Sequence, residues 1–205
     1  MKKVLLLTAL MLPLTAGATT MSLSSPATGP GVFASDATTL VPNGSIIRIG
    51  TVSNVADPVA SFVEFGTGSV RSVGIGATAK PGKVAGSVTP TESESAHDKF
   101  NNQKIFVWLY NGTSSLTSSQ QGLFSTSVNF PLNDGPTGLN DNVTLVSATD
   151  ITGVVSIPGW IDAQILPGDA NNSKKFVLGG VIPEPTSTTL SGLVALGFLA
   201  RRKRA

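Results

Sequence analysis

The chain has 205 residues, with 14 Lys or Arg, 12 Asp or Glu, a formal net charge of +2, one His and no Cys. The absence of thiols excludes a disulfide framework, a zinc–thiolate site and a cysteine nucleophile. Two basic residues precede residue 19 and four follow residue 200, so residues 19–180 hold eight basic against eleven acidic residues, a balance of −3; a basic, nucleic-acid-binding body is thereby excluded.

Lys2 and Lys3 open the chain, Val4 to Leu14 (VLLLTALMLPL) is apolar, and Ala16-Gly17-Ala18 has the small-x-small pattern. That order predicts a signal peptide over residues 1–18, passed through the Sec translocon and cut by signal peptidase after Ala18. The apolar run is short for an uncleaved membrane anchor, the weaker alternative. Residues 19–31 (TTMSLSSPATGPG) are small, polar and turn-rich, which predicts a flexible lead.

Strand signals follow. Ser45 to Val52 is β-branched behind Pro42-Asn43-Gly44, and Val59 to Phe65 alternates and closes at Gly66-Thr67-Gly68. Ser69 to Ile75 is a third candidate, and Val84 to Val88 follows a turn at Lys80-Pro81-Gly82-Lys83. Thr89 to Asn102 is the most polar stretch and reads as a loop. Lys104 to Tyr110 (KIFVWLY) is nearly all apolar, which predicts a central strand buried on both faces. Asn111-Gly112 ends it. Gln121–Phe130, Val143–Ser147, Thr152–Ile157, Trp160–Leu166 and Lys175–Leu178 are further candidates, the last before a Gly179-Gly180 hinge.

Away from the two ends no segment keeps a 3.6-residue apolar period, and no fixed-period repeat is present. Eight to ten short strands between turns predict an all-β fold, a single β-sandwich or jelly-roll-like domain over residues 32–180.

Chemistry is sparse. His97 lies among Glu92, Glu94 and Asp98 in the polar loop, without a convergent partner set. No Gly-x-Ser-x-Gly elbow is present. Glu64, Glu92 and Glu94 are candidates for the paired carboxylates of a glycoside hydrolase, but they sit on different elements, and Glu64 suits an outward strand position. Asp134-Gly135 with Asn140-Asp141-Asn142, and Asp169 with Asn171-Asn172, are oxygen-rich turns that suit calcium or ordinary turn chemistry. No catalytic, cofactor or metal residue is assigned. Phe106, Trp108 and Tyr110 share one side of the strong strand; with Trp160 they are candidates for a sugar-stacking platform or for a core.

The other end of the chain is more specific. Val181-Ile182-Pro183-Glu184-Pro185 is followed by an apolar run, Leu190 to Ala200 (LSGLVALGFLA), and a basic tail, Arg201, Arg202, Lys203 and Arg204. The run is short of the ~20 residues of a usual span, and Thr186 to Thr189 lengthen it with residues a membrane tolerates. It predicts a short transmembrane helix with the basic tail at the cytoplasmic face. An amphipathic or core helix is the alternative, disfavoured because the run has no polar face and basic residues close it off abruptly.

This triple pattern over residues 181–205 resembles the PEP-CTERM family of sorting signals. Ile182 stands where the family usually has Val directly before the tripeptide. The resemblance implies recognition of Pro183, Glu184 and Pro185 and cleavage of the tail by an exosortase, a membrane-embedded transpeptidase-like enzyme. It also implies a bacterium that makes exopolysaccharide. There is no LPxTG-like motif, so ordinary sortase anchoring is disfavoured. The body segment NQKIFVWLYNGTS with QQGLFS is similar to a pattern in small PEP-CTERM proteins, and no biochemical role comes with it. The expectation is an exported, non-enzymatic protein of the cell envelope, surface or matrix, transiently membrane-anchored and associated with exopolysaccharide or biofilm. A carbohydrate-binding module or adhesin is the alternative, a glycoside hydrolase the remote one.

Overall fold

The computed structural model describes residues 21–24, 31–73, 80–91, 98–131, 143–146, 150–167 and 174–181. Among them are twelve strands and one short helix. In chain order these are β1 (Met21–Ser24), β2 (Val32–Phe33), β3 (Ile46–Val52), α1 (Pro58–Ser61), β4 (Phe62–Val73), β5 (Lys80–Pro90), β6 (Lys104–Tyr110), β7 (Gln120–Asn129), β8 (Val143–Val146), β9 (Ile151–Val155), β10 (Gln164–Pro167), β11 (Lys174–Val177) and β12 (Gly179–Gly180). The all-β expectation holds. No described helix is long and apolar enough to cross a membrane.

Nine strands make one sheet in the order β12-β7-β6-β3-β4-β5-β1-β8, with β9 also on β7; β10, β11 and β2 make a second, three-stranded sheet. Every pairing is antiparallel except β1 with β8 and β11 with β2. The main core draws on both sheets, with Ile47, Ile49, Val107, Leu109 and Phe124 from the large one and Val32 and Phe176 from the small one. At one end, Phe65, Phe100 and Phe130 form an aromatic trio with ring centroids 5.1–5.3 Å apart.

β6 shows why its sequence is apolar at nearly every position. Ile105, Val107 and Leu109 enter the main core, whereas Phe106, Trp108 and Tyr110 enter a second core on the other face. A strand with two covered faces has no polar side to show. Its neighbours β3 and β7 supply Ile47, Ile49 and Phe124 to the first face and Leu123 to the second.

Four local expectations are corrected. Met21–Ser24, expected within the flexible lead, pairs with β5 and β8 as part of the large sheet. Val59–Ser61, expected to start a strand, closes a helical turn; Asp57 caps it by accepting from the Ala60 amide at 3.2 Å, and Pro58 takes the first position. Gly66-Thr67-Gly68 does not end a strand. β4 runs through it, and a register shift beside Gly50 takes up the irregularity. A side chain at Gly50 would place its Cβ 2.1 Å from the Val63 carbonyl oxygen, so the bulge requires glycine. Lys80-Pro81-Gly82-Lys83, expected as a turn, belongs to β5.

Candidate functional site

Among the described residues, two places hold residues that the sequence singled out. The first is the second face of the large sheet. Register sets Arg48 of β3 opposite Trp108 of β6, and the shift at Gly50 brings Glu64 of β4 to the same side. Arg48 Nε donates to Glu64 Oε2, and Arg48 Nη1 reaches the Tyr110 hydroxyl oxygen at 3.4 Å. The guanidinium lies over Phe62 at 5.0 Å and Trp108 at 5.4 Å from the ring centroids. Trp108 stacks on Tyr110, and its indole N–H donates to Gln121 Oε1 at 3.1 Å.

Burial sets the electrostatics here. It pushes the Tyr110 phenol above its ordinary value, and the hydrogen bond and charge of Arg48 offset only part of that rise. For Arg48, burial opposes the charge, but the bonds to Glu64 and Tyr110 outweigh it and hold the guanidinium above its usual value. The cluster thus joins three strands through one ion pair seated on aromatic rings. Within it the Glu64 carboxylate is paired with Arg48.

The aromatics follow. Trp108 and Tyr110 are only 4% and 2% exposed, and Phe106 lies beside them in the second core. Trp160 is half-buried against the same core. Trp108 and Tyr110 therefore offer no open face for a sugar ring to stack on, and the platform reading loses them to the core.

The second place is the approach to the C-terminal motif. β11 and β12 are separated only by Leu178, which is buried and donates its amide to the Phe33 carbonyl at 2.9 Å. The chain then changes sheets, and Gly179 and Gly180 pair with Gln121 and Gln120 of β7. The Ile161 amide donates to the Gly180 carbonyl at 2.8 Å, and Trp160 bridges Val181. The expected Gly179-Gly180 hinge is therefore a strand. A Cβ on Gly179 would stand 1.7 Å from the Ile161 carbonyl oxygen; glycine is there because two backbones touch.

This docked strand runs directly into the Pro-Glu-Pro segment. Residues 181–204 match the family model described as the PEP-CTERM protein-sorting motif. The chain carries this sorting signal. The PEP-CTERM motif marks an extracellular protein sorted by an exosortase and directed to the cell surface. No curated protein and no solved structure matches the chain.

Of the PEP-CTERM residues named from sequence, Pro183, Glu184, Pro185 and Arg201 to Arg204 lie outside the described residues, as do Ala16 and Ala18 of the signal sequence. Glu92, Glu94 and His97, and the oxygen-rich turns suggested for calcium, also lie outside them. Among the described residues, no group of three or more His, Cys, Asp or Glu could hold a metal. Three described aspartates have local work. Asp36 accepts from Thr38 and Thr39, Asp57 caps α1, and Asp162 accepts from the Ser156 hydroxyl. Sequence reasoning missed Arg48 and Gln121. Arg48 had a signal, a charge inside the mostly apolar β3, but Gln121 stands among other polar residues of β7, and only the register singles it out.

Proposed function

We propose that this protein is a non-enzymatic component of the cell surface or extracellular matrix, sorted by an exosortase and associated with exopolysaccharide or biofilm. The observation that carries the reading is the sorting motif at residues 181–204. Its route starts with a signal peptide over residues 1–18, the Sec translocon and signal peptidase. The Leu190–Ala200 run then holds the chain transiently in the membrane until the exosortase cuts.

Two features support a structural rather than a catalytic body. Glu64, the carboxylate best placed on a strand, is tied to Arg48, and the aromatics of β6 are packed inward. No ligand, cofactor or calcium is invoked. The carbohydrate-binding alternative keeps only the half-buried Trp160 of its original set.

The test is expression in a host with an exosortase, comparing the native chain with one in which Pro183, Glu184 and Pro185 are alanine. The native chain is expected as a shortened surface or matrix product, and the variant as an uncut membrane species. Equal processing of the two rejects the sorting reading. Deletion of the chain, followed by imaging of the matrix, tests its association with exopolysaccharide; an unaltered matrix counts against that part.

A further inference from the structure

We propose that the docking of β12 on the folded body limits the rate at which the exosortase processes the sorting motif. The proposal rests on the reading that residues 190–200 lie in the membrane and that an exosortase recognises Pro183, Glu184 and Pro185 and cleaves the tail.

The first reason is spacing. Val181 is bridged to Trp160, and Pro183 follows two residues later. From Val181 to Leu190 the chain can reach at most about 30 Å when fully extended. A body of this size has a radius of gyration of about 15 Å. The folded body therefore lies close against the membrane while the tail is intact, with its Trp160–Val181 corner beside the motif. Enzymes that take extended peptides engage backbone groups along the segment. Just before the motif these groups are occupied, with the Gly180 carbonyl bonded to the Ile161 amide and the Gly179–Gly180 strand paired to β7.

The second reason is the composition of the docked strand. β12 consists of two glycines, so backbone contacts alone hold it, with no side chain to bury. Such a strand is the kind of element that opens locally while the rest stays folded. The next residue inward, Leu178, is 1% exposed, and Phe176 before it lies in the main core. Peeling thus stops at Leu178. Release of β12 up to that point frees Gly179, Gly180 and Val181 to the enzyme and adds roughly 10 Å of reach.

The experiment is a pulse–chase of tail cleavage in an exosortase-containing host. One variant carries a Gly-Ser linker, as long as the 182–189 segment, between Val181 and Ile182; it leaves the body untouched. The other is Gly179→Ala, whose Cβ displaces β12 from Ile161, with loss of exchange protection at the Ile161 amide as the check. Both are expected to be cut several-fold faster than the native chain. Cleavage of the linker variant at the native rate overturns the proposal, and so does native-rate cleavage of Gly179→Ala once its Ile161 amide is deprotected. The chain with alanine at 183, 184 and 185 separates the two levels: if it is processed normally, the sorting reading itself fails.

Discussion

The indole N–H of Trp108 donates to the side-chain carbonyl of Gln121 at 3.1 Å, inside the second core and between the adjacent strands β6 and β7. A tryptophan whose polar atom is satisfied in this way is a core residue. Its partner is a glutamine only 7% exposed, the kind of buried polar group that survives because it is bonded. Gln121→Leu removes the acceptor and leaves the indole N–H buried without a partner. The expected loss is about 1–3 kcal/mol in denaturant unfolding. A loss below a few tenths would mean that the bond is idle.

Tyr110 is the only tyrosine in the chain, so its ionisation is directly visible in near-ultraviolet absorbance. Burial raises its pKa, which means that the folded state favours the neutral phenol. The associated stability is fully present below the unfolded value near 10 and is lost as pH rises through the higher folded value. Alkaline titration of the folded protein is expected to show ionisation above 10. In Arg48→Met the hydrogen bond and charge that lower it disappear, and the transition moves higher still. A folded titration at or below 10 contradicts the buried setting.

Asp36 shows the opposite sign. Bonds from Thr39 and Thr38 hold its carboxylate at about 2, below the ordinary value of 3.8. Its contribution to the Asp36–Thr39 turn is complete above 3.8 and disappears as pH falls through about 2. Carboxyl NMR titration is expected to place Asp36 near 2, and Thr39→Val to return it toward the ordinary range.

The aromatic trio sets the cost of a core change. Phe65 is 2% exposed and touches both Phe100 and Phe130. Phe65→Ala is expected to cost about 3–5 kcal/mol, from lost burial and the cavity left behind. The check is a denaturation midpoint shift at an unchanged slope.

The paired glycines of β12 give an asymmetric prediction. Gly179→Ala drives a Cβ into the Ile161 carbonyl oxygen, whereas at Gly180 a Cβ meets nothing within 4 Å. Hydrogen exchange at the Ile161 amide is expected to accelerate in Gly179→Ala and to stay near native in Gly180→Ala. Equal behaviour would contradict the close approach.

What the sequence determined by itself was what local pattern can encode. The sorting signal is contiguous, so it was legible in full from Val181 to Arg204, and the family match falls on the same residues. The all-β class followed from short β-branched runs between turns. The double burial of Ile105–Tyr110, within the strand expected over Lys104–Tyr110, followed from a strand with no polar side. Only the tertiary structure decided the rest, because it depends on register between distant segments. Arg48 and Glu64 are 16 residues apart, and they meet because β3 and β4 pair with a shift at Gly50. Gly179 and Gly180 look like a hinge in the sequence, since nothing local distinguishes a flexible glycine from one pressed against another strand. The closeness of the Ile161 backbone makes them a docked strand at the threshold of the signal.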